Sequence, residues 1–179
     1  MLKLLLNHIS YSFYVAHGFE MQYLAPIGRY VNWKLGNGWD DYNELYHATA
    51  YFSGITAEKD VWVHSHLLTK KNEINGVALI VGGNLRKAES KFIVENEAKS
   101  LVLKYFHIID RGKGLGKKWL GEILLPQYRD KGFETVYVSS SHPQSFSLYE
   151  KFGRCFHEYS LKSDNRLYNR QGKSFAIKL

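Results

Sequence analysis

The apolar and polar positions change their period along the chain, and the clearest change lies between Ser100 and Leu120. Residues 101–109 form a nearly continuous run of aliphatic and aromatic side chains, which is typical of a strand covered on both faces. A glycine-rich segment follows, and apolar residues then recur at helical spacing from Leu115 onward. The stretch therefore predicts a buried strand, a tight turn and a helix in direct succession.

Upstream of this stretch, the pattern predicts a first strand, a helix and a strand hairpin. Leucines alternate with other residues in the first strand, within 1–9. Asp40 or Asp41 is expected to cap a helix that ends before Gly54. The hairpin strands are predicted at 60–69 and 74–81, with their turn at 70–73. The link from the hairpin to the next strand is predicted at 82–99. We expect that link to hold a short helix or an extra strand around 92–94.

Downstream, the pattern predicts an interrupted helix, a strand, a second helix and two closing strands. Pro126 removes a backbone donor and is expected to kink or shorten the first helix, which ends at Gly132. The second helix begins at Ser141 or His142, and Gln144 is placed to close a capping box with Ser141. The strands are predicted at 134–140, 154–161 and 174–179, and the loop between the last two at 162–173.

The length and composition are those of one globular domain, with 179 residues, 45% hydrophobic and 23% charged. No apolar run approaches the ~20 residues of a membrane span. The opening MLKLLL is too short for a secretory signal. The single Cys155 excludes an internal disulfide framework and favours a reducing compartment. We therefore expect a cytoplasmic protein that does not engage a membrane.

The net charge of +7, with a pI near 9.3, is compatible with a nucleic acid, an acidic surface or a polyanionic cofactor as the partner. Several of the cations surround the glycine-rich segment. The others are scattered over the chain and form no continuous basic stripe. Binding of nucleic acid is therefore the weaker interpretation of this charge.

The segment from Arg111 to Lys117 combines three glycines with cationic side chains. Glycines at positive φ let successive backbone N–H groups converge, and the first helical turn adds unpaired N–H groups and the positive end of its dipole. Such a place binds phosphate or pyrophosphate. The spacing excludes a Walker loop, because no hydroxyl residue follows Lys117. It also excludes the dinucleotide fingerprint, because only Leu115 separates Gly114 from Gly116.

The remaining pattern, Arg-x-x-Gly-x-Gly from Arg111 to Gly116, resembles the acyl-CoA pyrophosphate loop of the GCN5-related N-acetyltransferase (GNAT) superfamily. A second motif runs from His142 to Gly153 and ends Leu-Tyr-Glu-Lys-Phe-Gly. It resembles the later helix of that family, which usually starts with Asn. The two motifs have the family's order and separation, and together they cover roughly the last half of the chain.

The resemblance implies an α/β (α+β) fold with a mixed, mostly antiparallel central sheet and helices on both faces. It implies a V-shaped split between the family's fourth and fifth strands. The chain 1–179 is then a single acetyltransferase domain. Within it, 1–60 is a divergent acceptor-side region, 61–99 holds the hairpin and an insert, and 100–179 is the acyl-CoA-binding core with the closing strands. Residues 10–39 are rich in aromatic side chains, have no regular period and remain unassigned.

By the same resemblance, acetyl-CoA is the acyl donor and a small-molecule or peptide amine is the acceptor. The strand before the loop pairs with the pantetheine arm, and a backbone N–H there polarises the thioester carbonyl. His142 takes the place of the usual Asn, whose contact is to the cofactor arm or the acceptor. The cofactor-binding residues implied are Lys104, Tyr105, Phe106, Arg111, Gly112, Lys113, Gly114, Leu115, Gly116, Lys117 and His142.

Tyr149 stands where many members of the family carry the general acid that protonates the leaving thiolate. A phenol with its usual pKa near 10 stays protonated at neutral pH and can donate. The general base is open, because Ser100 stands where histone-type members carry a glutamate. The candidates are Glu95, Glu97, His107 and His64, the last acting through water.

Several other interpretations remain open at this stage. His64 and His66 project from one face of a strand as a conceivable metal pair, but two strand histidines without a third ligand are more often solvated, and we predict no metal. A non-catalytic module that senses acyl-CoA is the main alternative function. A homodimer is compatible with the sequence.

Overall fold

The computed structural model describes residues 2–37 and 41–179. Its strands are β1 (Leu2–His8), β2 (Tyr11–His17), β3 (Val61–Lys70), β4 (Glu73–Gly83), β5 (Ser100–Ile108), β6 (Thr135–Ser140), β7 (Arg154–Lys162) and β8 (Asn169–Lys178). Its helices are α1 (Ala25–Gly36), α2 (Glu44–Ile55), α3 (Leu85–Ala88), α4 (Leu115–Lys118), α5 (Leu125–Arg129) and α6 (Pro143–Tyr149). Short 3₁₀ turns, Met21–Leu24 and Glu97–Lys99, precede α1 and β5.

All eight strands form one sheet in the order β1-β2-β3-β4-β5-β6-β8-β7. Neighbouring strands are antiparallel except β5 and β6, which run parallel. The family's fourth and fifth strands correspond to β5 and β6, because a β1–β2 hairpin opens the chain. The predicted mixed, mostly antiparallel α/β fold is thereby confirmed.

Helices cover both faces of the sheet, and each face has its own hydrophobic cluster. On one face, α1 and α2 contribute residues such as Ile27 and Phe52, which are fully buried. On the other, the continuous helix through α4 and α5 contributes Trp119 and Tyr128. The apolar run of β5 supplies alternate residues to the two clusters, which explains why it has no polar period.

The sheet splits between β5 and β6. The two strands pair from Ser100 to Leu103 on β5, opposite Thr135 to Val138 on β6. Beyond Leu103, β5 continues along β4, while β6 continues along β8. The backbone of β5 after Leu103 therefore faces an opening instead of a strand, as the predicted V-shaped split requires.

Local sequence explains the two sharpest turns. Lys71 and Asn72 both have positive φ, which gives the two-residue hairpin turn that matches the twist of β3 and β4. Gly132 has φ +85° and closes the end of α5, where Phe133 N–H donates to the Tyr128 carbonyl. This confirms the helix end predicted at Gly132.

Pro126 does not break its helix. The chain runs through a π-helical turn, Trp119–Leu124, between α4 and α5. Pro126 follows this turn inside the continuous helix, where the π-helical turn locally changes the hydrogen-bond register of the backbone. The helix is therefore not shortened at Pro126, and it continues to Arg129.

Several predicted boundaries were wrong. Asn43 caps α2 by accepting from Tyr46 N–H, so Asp41 is not the cap, and Asp40 lies outside the described residues. The helix also continues past Gly54 to Ile55. His142 is the N-cap of α6 without a side-chain capping bond, so the predicted capping box does not form.

The unassigned and loop regions hold more structure than the sequence predicted. Residues 11–36 form β2 and α1, and the closing strands β7 and β8 extend until only residues 163–168 remain as a loop. The link before β5 contains the short helix α3, while residues 92–94 form no strand.

Candidate active site

A cavity of about 520 Å³ lies where β5 and β6 separate. It is lined by every predicted site residue except Lys113 and Lys117. The predicted residues that it brings together are Lys104, Tyr105, Phe106, Arg111, Gly112, Gly114, Leu115, Gly116, His142 and Tyr149. Residues from two distant motifs thus meet in one cleft.

The glycine-rich loop depends on left-handed backbone at two positions. Gly112 has φ +75° and Gly114 has φ +69°, and Gly114 is the N-cap of α4. A side chain at either position strains the backbone, even though neither faces a neighbour within 4 Å. The loop therefore reaches the start of α4 with its backbone close to the cavity.

The charged residues of the loop have different environments. The Arg111 guanidinium stacks on α1, 4.6 Å from the Tyr30 ring centroid. Lys113 is exposed and lies 3.4 Å from Asp110, while Lys117 is exposed on α4. Hydrogen bonds from Lys70 and Tyr11 hold the pKa of Asp110 low, at about 2, and fix the carboxylate at the end of β5.

A β-bulge marks β5 at the split. Leu103 pairs with Ile80 and Tyr105 with Leu79, which leaves Lys104 as an extra residue without a partner position on β4. A bulge re-aims the backbone locally, and such features concentrate beside functional sites. The Lys104 ammonium pairs with Glu89 and lies 4.2 Å from the centre of the Tyr51 ring.

Tyr149 lies at the end of α6 and is 5% exposed. Its ring packs against Phe175, with the ring centroids 5.5 Å apart. Burial raises the pKa of its phenol, so the hydroxyl remains protonated over the whole neutral range. That property suits a proton donor and equally suits a packed tyrosine, so the catalytic role stays a prediction.

Three charged or titratable residues that the sequence did not single out as a group meet beside the cleft. Glu44 and Lys34 are 2% and 1% exposed, and the Lys34 ammonium lies 2.7 Å from Glu44 Oε2. His142 Nε2 lies 2.9 Å from Glu44 Oε1. Glu44 stands at the first turn of α2, where an acidic residue is common, so nothing in the sequence indicated its burial.

Among the candidates for the base, only His107 lines the cavity. Burial, followed by the nearby His142 and Arg111, lowers the pKa of His107 to about 3, while Glu44 opposes this shift. Glu97 instead pairs with Arg86 and accepts from Leu85 N–H, so it caps α3.

Glu95 lines a separate groove. The remaining candidate, His64, belongs to a buried cluster beneath the helix through α4 and α5. His64 Nδ1 and His66 Nε2 lie 2.9 Å and 2.8 Å from the Tyr128 hydroxyl. The expectation that both histidines are solvated was wrong, because His66 is fully buried and His64 is half-buried. Within residues 2–37 and 41–179, no group of three or more potential ligands is arranged to hold a metal ion.

No helix of the described chain is long and apolar enough to cross a membrane. No protein-family model matches the sequence, and no curated protein matches it either. The fold, in contrast, has many solved relatives.

Three solved structures illustrate this likeness. One is a protein from Desulfovibrio desulfuricans assigned to the GNAT family of acetyltransferases (TM-score 0.55, 14% identity, 92% of this chain and 98% of that chain). Another is ribosomal-protein-alanine N-acetyltransferase from Brucella melitensis (TM-score 0.59, 14% identity, 92% and 99%). A third is YncA of Salmonella typhimurium, assigned as an acetyltransferase and solved with its cofactor acetyl-CoA (TM-score 0.58, 13% identity, 93% and 94%). The resemblance read from the two motifs is confirmed at the level of the fold: this chain adopts the fold of the GCN5-related N-acetyltransferases.

Proposed function

We propose that this protein transfers an acetyl group from acetyl-CoA to a primary amine by direct attack in a ternary complex. The observation that carries the proposal is the cleft at the split between β5 and β6, with the glycine-rich loop in its wall. Acetyl transfer is the activity assigned to the solved relatives described above, and one of them was solved with acetyl-CoA.

The residues present fit an acyl-CoA. The cavity volume of about 520 Å³ falls in the range of ligand pockets. Gly112 and Gly114 adopt left-handed backbone at the start of α4, which suits close approach of a pyrophosphate. Beyond Leu103, β5 has no strand partner on the β6 side, so an extended pantetheine arm can add there like a strand.

In this proposal, the bound cofactor supplies an activated acetyl thioester, and the chain positions and polarises it. Residues 111–117 hold the pyrophosphate, with Arg111, Lys113 and Lys117 as the cationic side chains. Backbone N–H groups at the bulge around Lys104 to Phe106 orient the thioester carbonyl. Tyr149 donates a proton to the departing sulfur.

Isothermal titration of acetyl-CoA tests the cofactor site, with Gly114→Asp as the perturbing variant. Gly132→Asp is the matched control, because Gly132 also has positive φ and open space around its Cα but lies away from the cleft. Both variants strain the backbone, whereas only Gly114→Asp places a carboxylate in the loop.

We expect micromolar binding by the wild type and by Gly132→Asp, and a loss of about tenfold or more, equivalent to ~1.4 kcal/mol, in Gly114→Asp. Absence of binding by the folded wild type contradicts the proposal. Tight binding without release of CoA thiol across a panel of primary amines favours the non-catalytic sensing module instead.

A further inference from the structure

Glu44 is a buried carboxylate with two cationic or polar partners. Its side chain is 2% exposed, and Lys34 Nζ donates to Glu44 Oε1 at 2.8 Å. Burial alone raises the pKa of such a group, but the hydrogen bonds from His142 and Lys34 outweigh burial and lower it to about 2. Glu44 is therefore charged throughout the neutral range and acts only as an acceptor.

This charge determines which nitrogen of His142 carries a hydrogen. Because the ionised Glu44 can only accept, His142 Nε2, 2.9 Å away, must be the donor. His142 Nδ1 is then the nitrogen that carries the lone pair and can accept a hydrogen bond or a proton. Its neighbour, the Tyr30 hydroxyl, is 3.5 Å away, which is long for a hydrogen bond.

The position of His142 is fixed by the elements around it. It caps the start of α6 directly after β6 and lines the cleft. Its backbone N–H donates to the Ser140 hydroxyl at 3.1 Å, which also bonds Ser145. A side chain held at its backbone and at one ring nitrogen presents the other nitrogen in a defined place.

The other groups around His142 are less suited to accept a proton. The titratable and charged side chains near it on α1, α2, β5, the loop and β8 are Tyr30, Lys34, Glu44, His107, Arg111 and Arg170. His107, whose ring centroid is 6.4 Å from that of His142, is a weak base because its burial disfavours the charged form. Glu44 is the only carboxylate of this set, and its strong hydrogen bonds make it a poor base as well.

We infer that His142, oriented by Glu44, is the general base that takes a proton from the acceptor ammonium. The inference rests on the proposed acetyl transfer. The proton moves to His142 Nδ1, directly or through one water, and the neutral amine attacks the thioester carbon. The C–S bond breaks as the C–N bond forms, and the thiolate takes one proton. The nitrogen of the new amide, which lost its first proton to His142, then loses its second proton. One proton is released to solvent for each amine acetylated. Glu44 is a positioning residue, since it acts only through His142.

The first test is independent of any acceptor. Histidine-specific ¹⁵N labelling reports the tautomer of each imidazole, and the resonances of His142 are those missing from His142→Asn. We expect His142 to carry hydrogen on Nε2 in the wild type at pH 7.5, with a downfield Hε2 resonance from the charge-assisted bond to Glu44. This resonance should move upfield when Glu44 is neutralised, because an amide oxygen is a weaker acceptor than a carboxylate. Lys34→Met is combined with Glu44→Gln, because a buried ammonium that loses its carboxylate partner is strongly destabilising. Hydrogen on Nδ1 in the wild type, or an Hε2 resonance that does not move in the double variant, overturns the inference.

The second test uses acetyl-CoA and the amines that the wild type acetylates. His142→Asn keeps a hydrogen-bonding side chain, of the type that the family resemblance places here, but removes the proton acceptor. We expect its affinity for acetyl-CoA to stay within about tenfold, while kcat/KM for the amine falls by about 10² to 10³. The remaining rate should rise with pH as the free amine fraction grows. A kcat/KM within about threefold of the wild type overturns the role of His142 and leaves the acetyl transfer intact.

The two failures are distinguishable. A wild type that binds acetyl-CoA but acetylates no amine refutes the proposed function and, with it, the role of His142 as a base, even if the tautomer is as expected. A wild type that is active but insensitive to the loss of His142 refutes only the base.

Discussion

The buried His66 makes the stability of this protein depend on pH in the window where histidine side chains of the unfolded chain titrate. His66 lies on β3 and is fully buried, with Nε2 2.8 Å from the Tyr128 hydroxyl. Burial, and secondarily the charges of His64, Lys131 and His17, lowers the pKa of His66 to about 3. In the unfolded chain, the His66 imidazole is protonated near pH 6.5. In the folded chain, it is protonated only at a far lower pH.

The sign of the effect follows from this difference. Below pH 6.5 the unfolded state binds up to one more proton than the folded state, so stability falls as the pH falls, by at most about 1.4 kcal/mol per pH unit for one histidine. Between pH 6.5 and pH 5.0, His66 alone should remove roughly 2 kcal/mol from the free energy of unfolding. Burial also lowers the pKa of His64, to about 4, and that of His107, to about 3, and both add in the same direction. The carboxylates Glu44 and Asp110, with pKa values near 2, remain ionised in this window and do not contribute.

Urea unfolding at pH 7.0, 6.0, 5.5 and 5.0 measures the slope. His66→Leu should abolish about 1 kcal/mol per pH unit of the mean slope over this range, whatever the variant's absolute stability. Leu67→Val is the control, since it removes a buried methylene from the adjacent position of β3 and should lower stability equally at every pH. An unfolding free energy in the wild type that is flat between pH 7 and pH 5, or an unchanged slope in His66→Leu, refutes the reasoning.

Three further outcomes follow from single positions. Gly54 lies in α2 with no neighbour within 4 Å of a Cβ, so Gly54→Ala should raise the free energy of unfolding by about 0.5–1 kcal/mol in urea melts. A Cβ on Gly153 would lie 2.6 Å from the Ala176 carbonyl oxygen, so Gly153→Ala should lower it by about 1–3 kcal/mol; an equal or higher stability would contradict the packing of β7 on β8. If Tyr149 is the general acid, Tyr149→Phe should lower kcat by about 10²-fold with little change in acetyl-CoA affinity, and an unchanged kcat and pH profile would remove that role.

The strand, loop and helix around Arg111 could be predicted because their determinants are local. The apolar run of β5, the glycines at positive φ and the apolar repeat of the following helix lie within about 30 consecutive residues and agree with one another. The determinants of the helix end at Gly132 and of the hairpin turn at Lys71 are local in the same way, because each depends on a few consecutive residues.

The side of the cleft next to α1 and α2 could not be predicted, because its residues meet only through tertiary packing. Glu44, Lys34 and His142 come from α2, α1 and the start of α6, and none has a sequence context that signals burial of a charge. The alternating pattern of β3 was interpreted as one solvated face. A period of two gives the two faces of a strand but not what covers them, and the helix ending at α5 in fact covers His66.

Residues 10–39 could not be assigned from the sequence for a different reason. Aromatic side chains there pack in the core, as Tyr23 does, or stack on the loop, as Tyr30 does beneath Arg111. Gly18, with φ +100°, ends β2 and turns the chain towards α1. These contacts arise from tertiary packing in the core and around the cleft, and not from the periodic pattern of one element.

Amide hydrogen exchange tests most directly whether the arm of acetyl-CoA occupies the opening between β5 and β6. With saturating acetyl-CoA, we predict slower exchange in residues 104–108 and in residues 112–118, and no change at the distant β1–β2 hairpin. The Gly132→Asp variant should show the same protection, and Gly114→Asp should lose it. Acetyl-CoA that binds without protecting residues 104–108 would place the ligand elsewhere and contradict the account.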